Sequence, residues 1–203
     1  MPMTRLIIVI ALMLPAGMSL AQGDPFEQIK AAMAKAACCR FEFVSVVESE
    51  IFESVDSTDG SALLAADGRY LIKIGDDEYL RTADRLYSYS RDEDQVTIEK
   101  ADQTGLSDET VSFITRFDKY YRTVPRKLGS EYLLIRLDST SRLPDSVTVN
   151  VSGEKPQLES LEYLDDNGDF NRIIFRSREH ESACDEHLLS PHFSDSVEVI
   201  ELF

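Results

Sequence analysis

The sequence predicts an α+β fold, one large curved antiparallel sheet with helices covering its concave face. Two observations carry this expectation. Apolar and polar residues alternate at period two through most of the chain, with turn residues breaking the runs at short intervals. Only two segments, 25–37 and 106–121, place apolar residues at helical spacing instead. About ten strands and two helices result, the pattern of helices laid on one face of an antiparallel sheet.

The first helix is justified at both the cap and the face. Asp24 suits the N-cap and Pro25 the first helical position. Phe26, Ile29, Met33 and Ala37 then fall on one side of an amphipathic helix over 25–37. After Cys38-Cys39 the period becomes two. Phe41, Phe43, Val47 and Ile51 share one parity, and Glu42, Glu48 and Glu50 the other, which predicts a half-buried strand of up to about fifteen residues. The turn residues Ser57-Thr58-Asp59-Gly60 lead into Leu64, Ala66, Gly68, Tyr70, Ile72 and Ile74 on one parity, so the two runs read as a long hairpin. Short strands at 78–82, 85–90 and 95–100 continue a meander. Val111, Ile114, Phe117 and Tyr121 predict a second helix over 106–121, capped by Ser107 or Asp108. Strands follow at 131–137, 146–151, 158–164 and 173–178, with Asp165-Asp166-Asn167-Gly168-Asp169 as a hairpin turn. The run from Val197 to Leu202 is expected to close one edge.

Residues 1–21 read as a signal peptide: Arg5, the apolar run Leu6 to Leu14, a Pro15/Gly17 break and the small-residue site Ser19-Leu20-Ala21. The run is about half the roughly 20 residues that cross a bilayer. Cleavage after Ala21 leaves a single domain over 22–203, not membrane-spanning and expected as a monomer in the bacterial periplasm, which permits disulfides. The formal charge is −16, from 37 Asp+Glu against 21 Lys+Arg. That balance argues against nucleic acid as a partner and against anionic membrane surfaces, since both require a basic face. An apolar fraction of 43% is too high for a disordered acidic tail.

The order of elements resembles the LolA-type outer-membrane lipoprotein carriers and their LolB-like relatives. The residues that carry the resemblance are Asp67-Gly68-Arg69-Tyr70-Leu71-Ile72-Lys73, then Thr82-Ala83-Asp84-Arg85-Leu86-Tyr87-Ser88-Tyr89 and Gln95-Val96-Thr97-Ile98. Leu188-Leu189-Ser190-Pro191 with Ser196-Val197-Glu198-Val199-Ile200 is similar to the family's closing motif. The resemblance implies an unclosed (half) β-barrel with a helical lid. Its cavity would take lipoprotein acyl chains, or another lipid, from an inner-membrane lipoprotein-releasing transporter to an outer-membrane receptor, with no cofactor. One departure stands out. The family follows its strand lysine with an Arg-Pro pair whose arginine latches the lid, whereas Lys73 is followed by Ile74-Gly75. Either another residue, such as Arg69 or Lys73, closes the lid, or the chain is a related binding or sensor module that does not deliver its ligand.

The candidate cavity residues are Phe41, Phe43, Val47, Ile51, Leu64, Tyr70, Ile72, Ile74, Tyr87, Tyr89, Val96 and Ile98, a set that could equally fill an ordinary core. The lid candidates are Phe26, Ile29, Met33, Ile114 and Phe117. Three cysteines allow at most one internal bridge, of Cys38 or Cys39 with Cys184, and leave one thiol. His180, His187 and His192 cluster around Cys184 as conceivable zinc or copper ligands, although their spacing fits no standard pattern and a bridged Cys184 is no thiolate. Asp165, Asn167 and Asp169 alternate as in a calcium loop, but the glycine comes one place early and the distal glutamate is missing. No nucleophile elbow, phosphate loop or His-Glu-x-x-His motif occurs, so no catalytic residue and no resident metal is expected.

Overall fold

The computed structural model describes residues 24–101, 117–127, 130–139, 143–153, 155–194 and 196–202. The expected signal peptide and most of the expected second helix, with Ile114, lie outside these residues. Helix α1 spans Pro25–Lys35. Six strands follow, β1 Cys38–Ser49, β2 Ser54–Ala65, β3 Tyr70–Ile74, β4 Asp77–Arg81, β5 Arg85–Ser90 and β6 Gln95–Lys100. The single turn α2, Phe117–Tyr120, precedes β7 Tyr121–Lys127, β8 Glu131–Arg136, β9 Ser146–Ser152, β10 Gln157–Leu164, β11 Phe170–Glu181 and β12 Glu198–Leu202.

All twelve strands form one sheet, in the order β12-β6-β5-β4-β3-β2-β1-β11-β10-β9-β8-β7. Strand β1 lies near the middle. From it the chain meanders outward through β2 to β6, restarts at the far edge with β7 and works inward until β11 pairs with β1. Every pairing is antiparallel except that of β12, which runs parallel to β6 at one edge. β7 and β12 remain as separate edges, so the curved sheet is a half-barrel and not a closed one. Among the described residues, α1 and Phe117–Tyr120 of α2 are the helical cover.

Three local expectations are corrected. First, Ser57–Gly60 is not a turn but the interior of β2, and the chain reverses at Glu50–Glu53, where Glu53 adopts a positive φ of 50°. Strand β1 therefore stops at Ser49. Gly60 serves a packing purpose instead: it sits opposite Phe43, and a Cβ there would lie 2.4 Å from the Phe43 ring. Second, the run from Leu64 to Ile74 is interrupted by a turn at 66–69. Asp67 there accepts the Arg69 N–H, and Gly68 takes a φ of 93°, a region glycine enters without steric cost. Third, residues 121–127 form a strand where helix was expected to end. The turn at 165–169 forms as expected, with Asp165 Oδ1 accepting the N–H groups of Asn167 and Asp169.

Alternation gives the sheet two apolar faces. The inner face gathers Cys39, Phe41, Phe43, Leu64, Tyr70, Ile72 and Leu86 from one half, and Tyr132, Leu134, Val147, Val149, Val151, Leu158, Leu161 and Phe175 from the other, beneath α1. The outer face gathers Cys38, Leu63, Leu71, Leu80, Tyr87, Val96 and Ile98 beneath the segment that runs from Cys184 to Val197.

Candidate functional site

The inner face is covered by a helix held at both ends: its first turn is bonded to β8, and its last leads through Ala36 and Ala37 straight into β1, where the Ala37 N–H donates to the Glu181 carbonyl and the Ala37 carbonyl accepts the Ala66 N–H. Asp24 caps α1 through the N–H groups of Phe26 and Glu27, at 2.8 and 3.4 Å. The same carboxylate oxygen accepts the Tyr132 hydroxyl of β8 at 2.8 Å, so one aspartate fixes the start of α1 to the sheet. Phe26, fully buried, stacks on Tyr132 at 5.1 Å and meets Phe117 of α2 at 5.5 Å. Burial then fades along the helix: Ile29 is buried, Met33 half-buried, and Ala34 and Lys35 exposed. The helix ends where Ala36 turns extended and the chain enters β1.

Beside this looser half lies a cavity of about 640 Å³, lined by Met33, Ala34 and Ala36 from the helix side and by Cys39, Leu64 and Gly68 from the sheet, with Phe117 and Lys119 at its margin. Its size is that of an ordinary small-molecule pocket, about 300–1,000 Å³. Its charged lining residues are the exposed Lys119 and the pair Glu27 and Lys30, which meet at 2.6 Å. On the floor, burial pushes the Cys39 thiol up to about 11, so it is a neutral thiol at ordinary pH. The floor is therefore uncharged and the walls mostly apolar.

The structure brings Phe41, Phe43, Leu64, Tyr70, Ile72 and, half-buried, Ile74 together on the inner face, with Phe26, Ile29, Met33 and Phe117 packed over it. Val47 is half-buried further along β1 and belongs to neither apolar cluster. Ile51 sits in the turn after β1, 73% exposed, because the strand ends before it. Tyr87, Tyr89, Val96 and Ile98 lie on the outer face, where Phe193 packs against Tyr87 at 5.8 Å and Tyr89 at 5.6 Å. The reason is phase. Period two orders residues within a strand, but the connection at 82–84 decides which parity of β5 points inward, and it selects Leu86. Sequence reading omitted the part of the inner-face core built by β8 to β10. The alternating Tyr132/Leu134 and Val147/Val149/Val151 were the signal for it.

The candidate latches both act elsewhere. Arg69 makes a two-pronged contact with Glu186, at 2.6 and 3.1 Å, and a third bond to Asp67 at 2.8 Å. These bonds pin the C-terminal segment, not α1, and the Arg69 hydrogen bond holds the Glu186 carboxyl below its usual range. Lys73 pairs with Glu78, its cross-strand neighbour, at 2.9 Å. Cys38, on the outer face, is bonded to Cys184, and Cys39, on the inner face, remains a buried thiol. Adjacent strand residues point to opposite faces, and this decides which of the two cysteines meets the outer segment. With Cys184 in a disulfide, the histidine cluster has no sulfur ligand. His187 and His192 stack at 4.2 Å, and among the described residues no three His, Cys, Asp or Glu side chains are placed to hold a metal ion.

No family model matches the chain, and no curated protein matches it. Among solved structures it is similar to an uncharacterized conserved protein from Thermus thermophilus, with a TM-score of 0.49 and 8% identity over 88% of this chain and 97% of that one. It is also similar to a LolA superfamily protein from Nitrosomonas europaea, with a TM-score of 0.47 and 10% identity over 82% of this chain and 96% of that one. A third similarity is to MucB, with a TM-score of 0.44 and 16% identity over 87% of this chain and 64% of that one.

Proposed function

We propose that the protein is a periplasmic carrier that buries the acyl chains of lipoproteins, or of other lipids, under α1 and moves them toward the outer membrane. It performs no covalent chemistry. The observation that carries this reading is the cavity of about 640 Å³ beside the less buried second half of α1. A cover that shifts outward between its two held ends admits an apolar chain along the Met33 side without unmaking the sheet. Each methylene moved from water into such a site contributes about 0.8 kcal/mol, so a multi-chain lipid crosses water far more readily when shielded. An inner-membrane lipoprotein-releasing transporter and an outer-membrane receptor are the partners this role requires.

A second reading has its own support. Arg69 and Lys73 are engaged elsewhere, so neither residue supplies the latch of a carrier cycle. A binding or sensor module with the same cavity needs no such latch. Native mass spectrometry of protein purified from a lipid-containing envelope, with displacement of a bound fluorescent fatty acid, tests both readings. Co-purified lipid and saturable displacement are expected, and absence of both overturns them. Deletion in a Gram-negative host separates the two: loss of a carrier strands outer-membrane lipoproteins at the inner membrane or in the periplasm, and loss of a sensor does not.

A further inference from the structure

Among the described residues, the Tyr70 hydroxyl is the one buried side-chain polar atom without a hydrogen-bond partner. The side chain is 4% exposed and belongs to the inner-face cluster. Leaving such a donor unpaired is costly, and buried hydroxyls in folded proteins are almost always satisfied. A phenylalanine at this position would fill nearly the same space with nothing to satisfy, so the oxygen asks for an explanation.

Its place in the sheet supplies one. Strand registers set Cys39 opposite Leu64, Leu64 opposite Tyr70, Tyr70 opposite Arg81 and Arg81 opposite Leu86, one row running across the inner face. Cys39 and Leu64 line the cavity beside α1, and Gly68, just before Tyr70, lines it too. Tyr70 is the next side chain in that row. A chain lying on Cys39 and Leu64 and running along the row therefore comes to the phenol. We infer that Tyr70 is the polar recognition point of the cavity, donating its hydroxyl hydrogen to an acyl oxygen of the ligand: the carbonyl of a lipid ester or amide, or a fatty-acid carboxylate.

This inference rests on the proposed lipid-binding role and narrows it, from any apolar molecule to an acyl compound with a hydrogen-bond acceptor at its head. The chemistry suits the phenol. Burial pushes its ionisation up to about 12, so Tyr70 is a neutral donor throughout the range in which a periplasmic protein works. An acceptor-bearing ligand removes the unpaired donor as it binds, whereas a plain hydrocarbon leaves it unpaired. The cavity thereby discriminates between ligands that have equal apolar area.

The test uses wild-type protein and Tyr70→Phe with diphenylhexatriene as a reporter that has no acceptor, displaced by monoolein, oleate or hexadecane. Tyr70→Phe is expected to weaken monoolein or oleate about tenfold, the 1.4 kcal/mol that corresponds to one decade, and to leave hexadecane unchanged. Whichever of monoolein and oleate is affected identifies the ester or the carboxylate as the acceptor. The carbonyl stretch of isotope-labelled monoolein should move to lower wavenumber on binding wild type and not on binding Tyr70→Phe. That comparison of free with wild-type-bound ligand stands even if the variant folds poorly. Equal affinities in both proteins with no carbonyl shift, while hexadecane still displaces the reporter, overturn the role of Tyr70 and leave lipid binding intact. Failure of every ligand to displace the reporter overturns both.

Discussion

The two faces of the sheet are covered in opposite ways. On the outer face the C-terminal segment is fastened by a covalent bond from Cys38 to Cys184, by the Arg69 fork on Glu186 and by Phe193 set against Tyr87 and Tyr89. On the inner face α1 is held by apolar packing, by the Asp24 carboxylate and by its direct run into β1 at Ala37, with its second half beside a cavity. Both covers shield apolar residues of the sheet, the inner cluster being the larger. What differs is the fastening: a disulfide crosses the outer cover, whereas packing, one carboxylate and the chain's own run into β1 hold the inner one.

The largest expected effect comes from cutting the outer fastening. Cys184→Ser opens a crosslink spanning 146 residues of sequence and should cost up to about 5 kcal/mol by the chain-entropy account. Urea unfolding should show the loss. Alkylation of Cys39 under native conditions should stay slow, because that thiol lies on the other face. Rapid alkylation would mean that the two covers are coupled. Next, Phe26→Ala removes the fully buried anchor of α1 and should cost about 3–5 kcal/mol. Here Cys39 alkylation should accelerate, the reverse of the first variant.

Asp24→Ala is a gentler version of the same cut. It removes the helix cap and the acceptor for Tyr132, a loss of about 1–2 kcal/mol. Its signature is faster Cys39 alkylation with only a small shift in the urea midpoint. If alkylation does not change, α1 is not held by Asp24. The smallest effect is acid loosening of the outer clamp. Glu186 has a folded ionisation below its unfolded one, so its contribution is present above the ordinary glutamate range and is lost as pH falls through the lowered value. Tyrosine emission from the Tyr87/Tyr89/Phe193 cluster should therefore hold steady from neutral pH down to about 4 and change below it. The chain has no tryptophan to mask it.

Helix α1 was legible except for its end, because Asp24, Pro25 and the Phe26/Ile29/Met33 spacing are local signals that packing did not overrule, whereas Ala36 and Ala37, expected in the helix, are drawn out into the approach to β1. Most strands were legible for the same reason. The faces were not. Tyr87 and Val96 alternate as clearly as Tyr70 and Ile72, yet the turns between strands set the relative phase, and a turn's geometry is poorly written in its composition. Gly60 misled for a related reason: it reads as a turn residue, whereas what it provides is room for the Phe43 ring, a contact between strands that no local window contains. Cys38 and Cys39 could not be told apart until β1 had a known inner side. The core residues Tyr132, Val147 and Val149 were visible as alternation, but nothing in the sequence tied that half of the sheet to the same inner-face core.

The position of β1 has a consequence for how the protein reaches this state. Its partner β2 follows at once, but its other partner, β11, is made almost last, and Cys184 lies 146 residues after Cys38. While the chain is still lengthening, the strand that ends up near the centre of the sheet is an open edge, apolar on one side and able to pair with other chains. Docking of β11 is a contact between distant parts of the sequence and is intrinsically slow. The disulfide can close only after that step. Assembly of this sheet is thus a race between β11 and any other strand that finds β1 first, and a holding chaperone that covers β1 should raise the yield of oxidised protein.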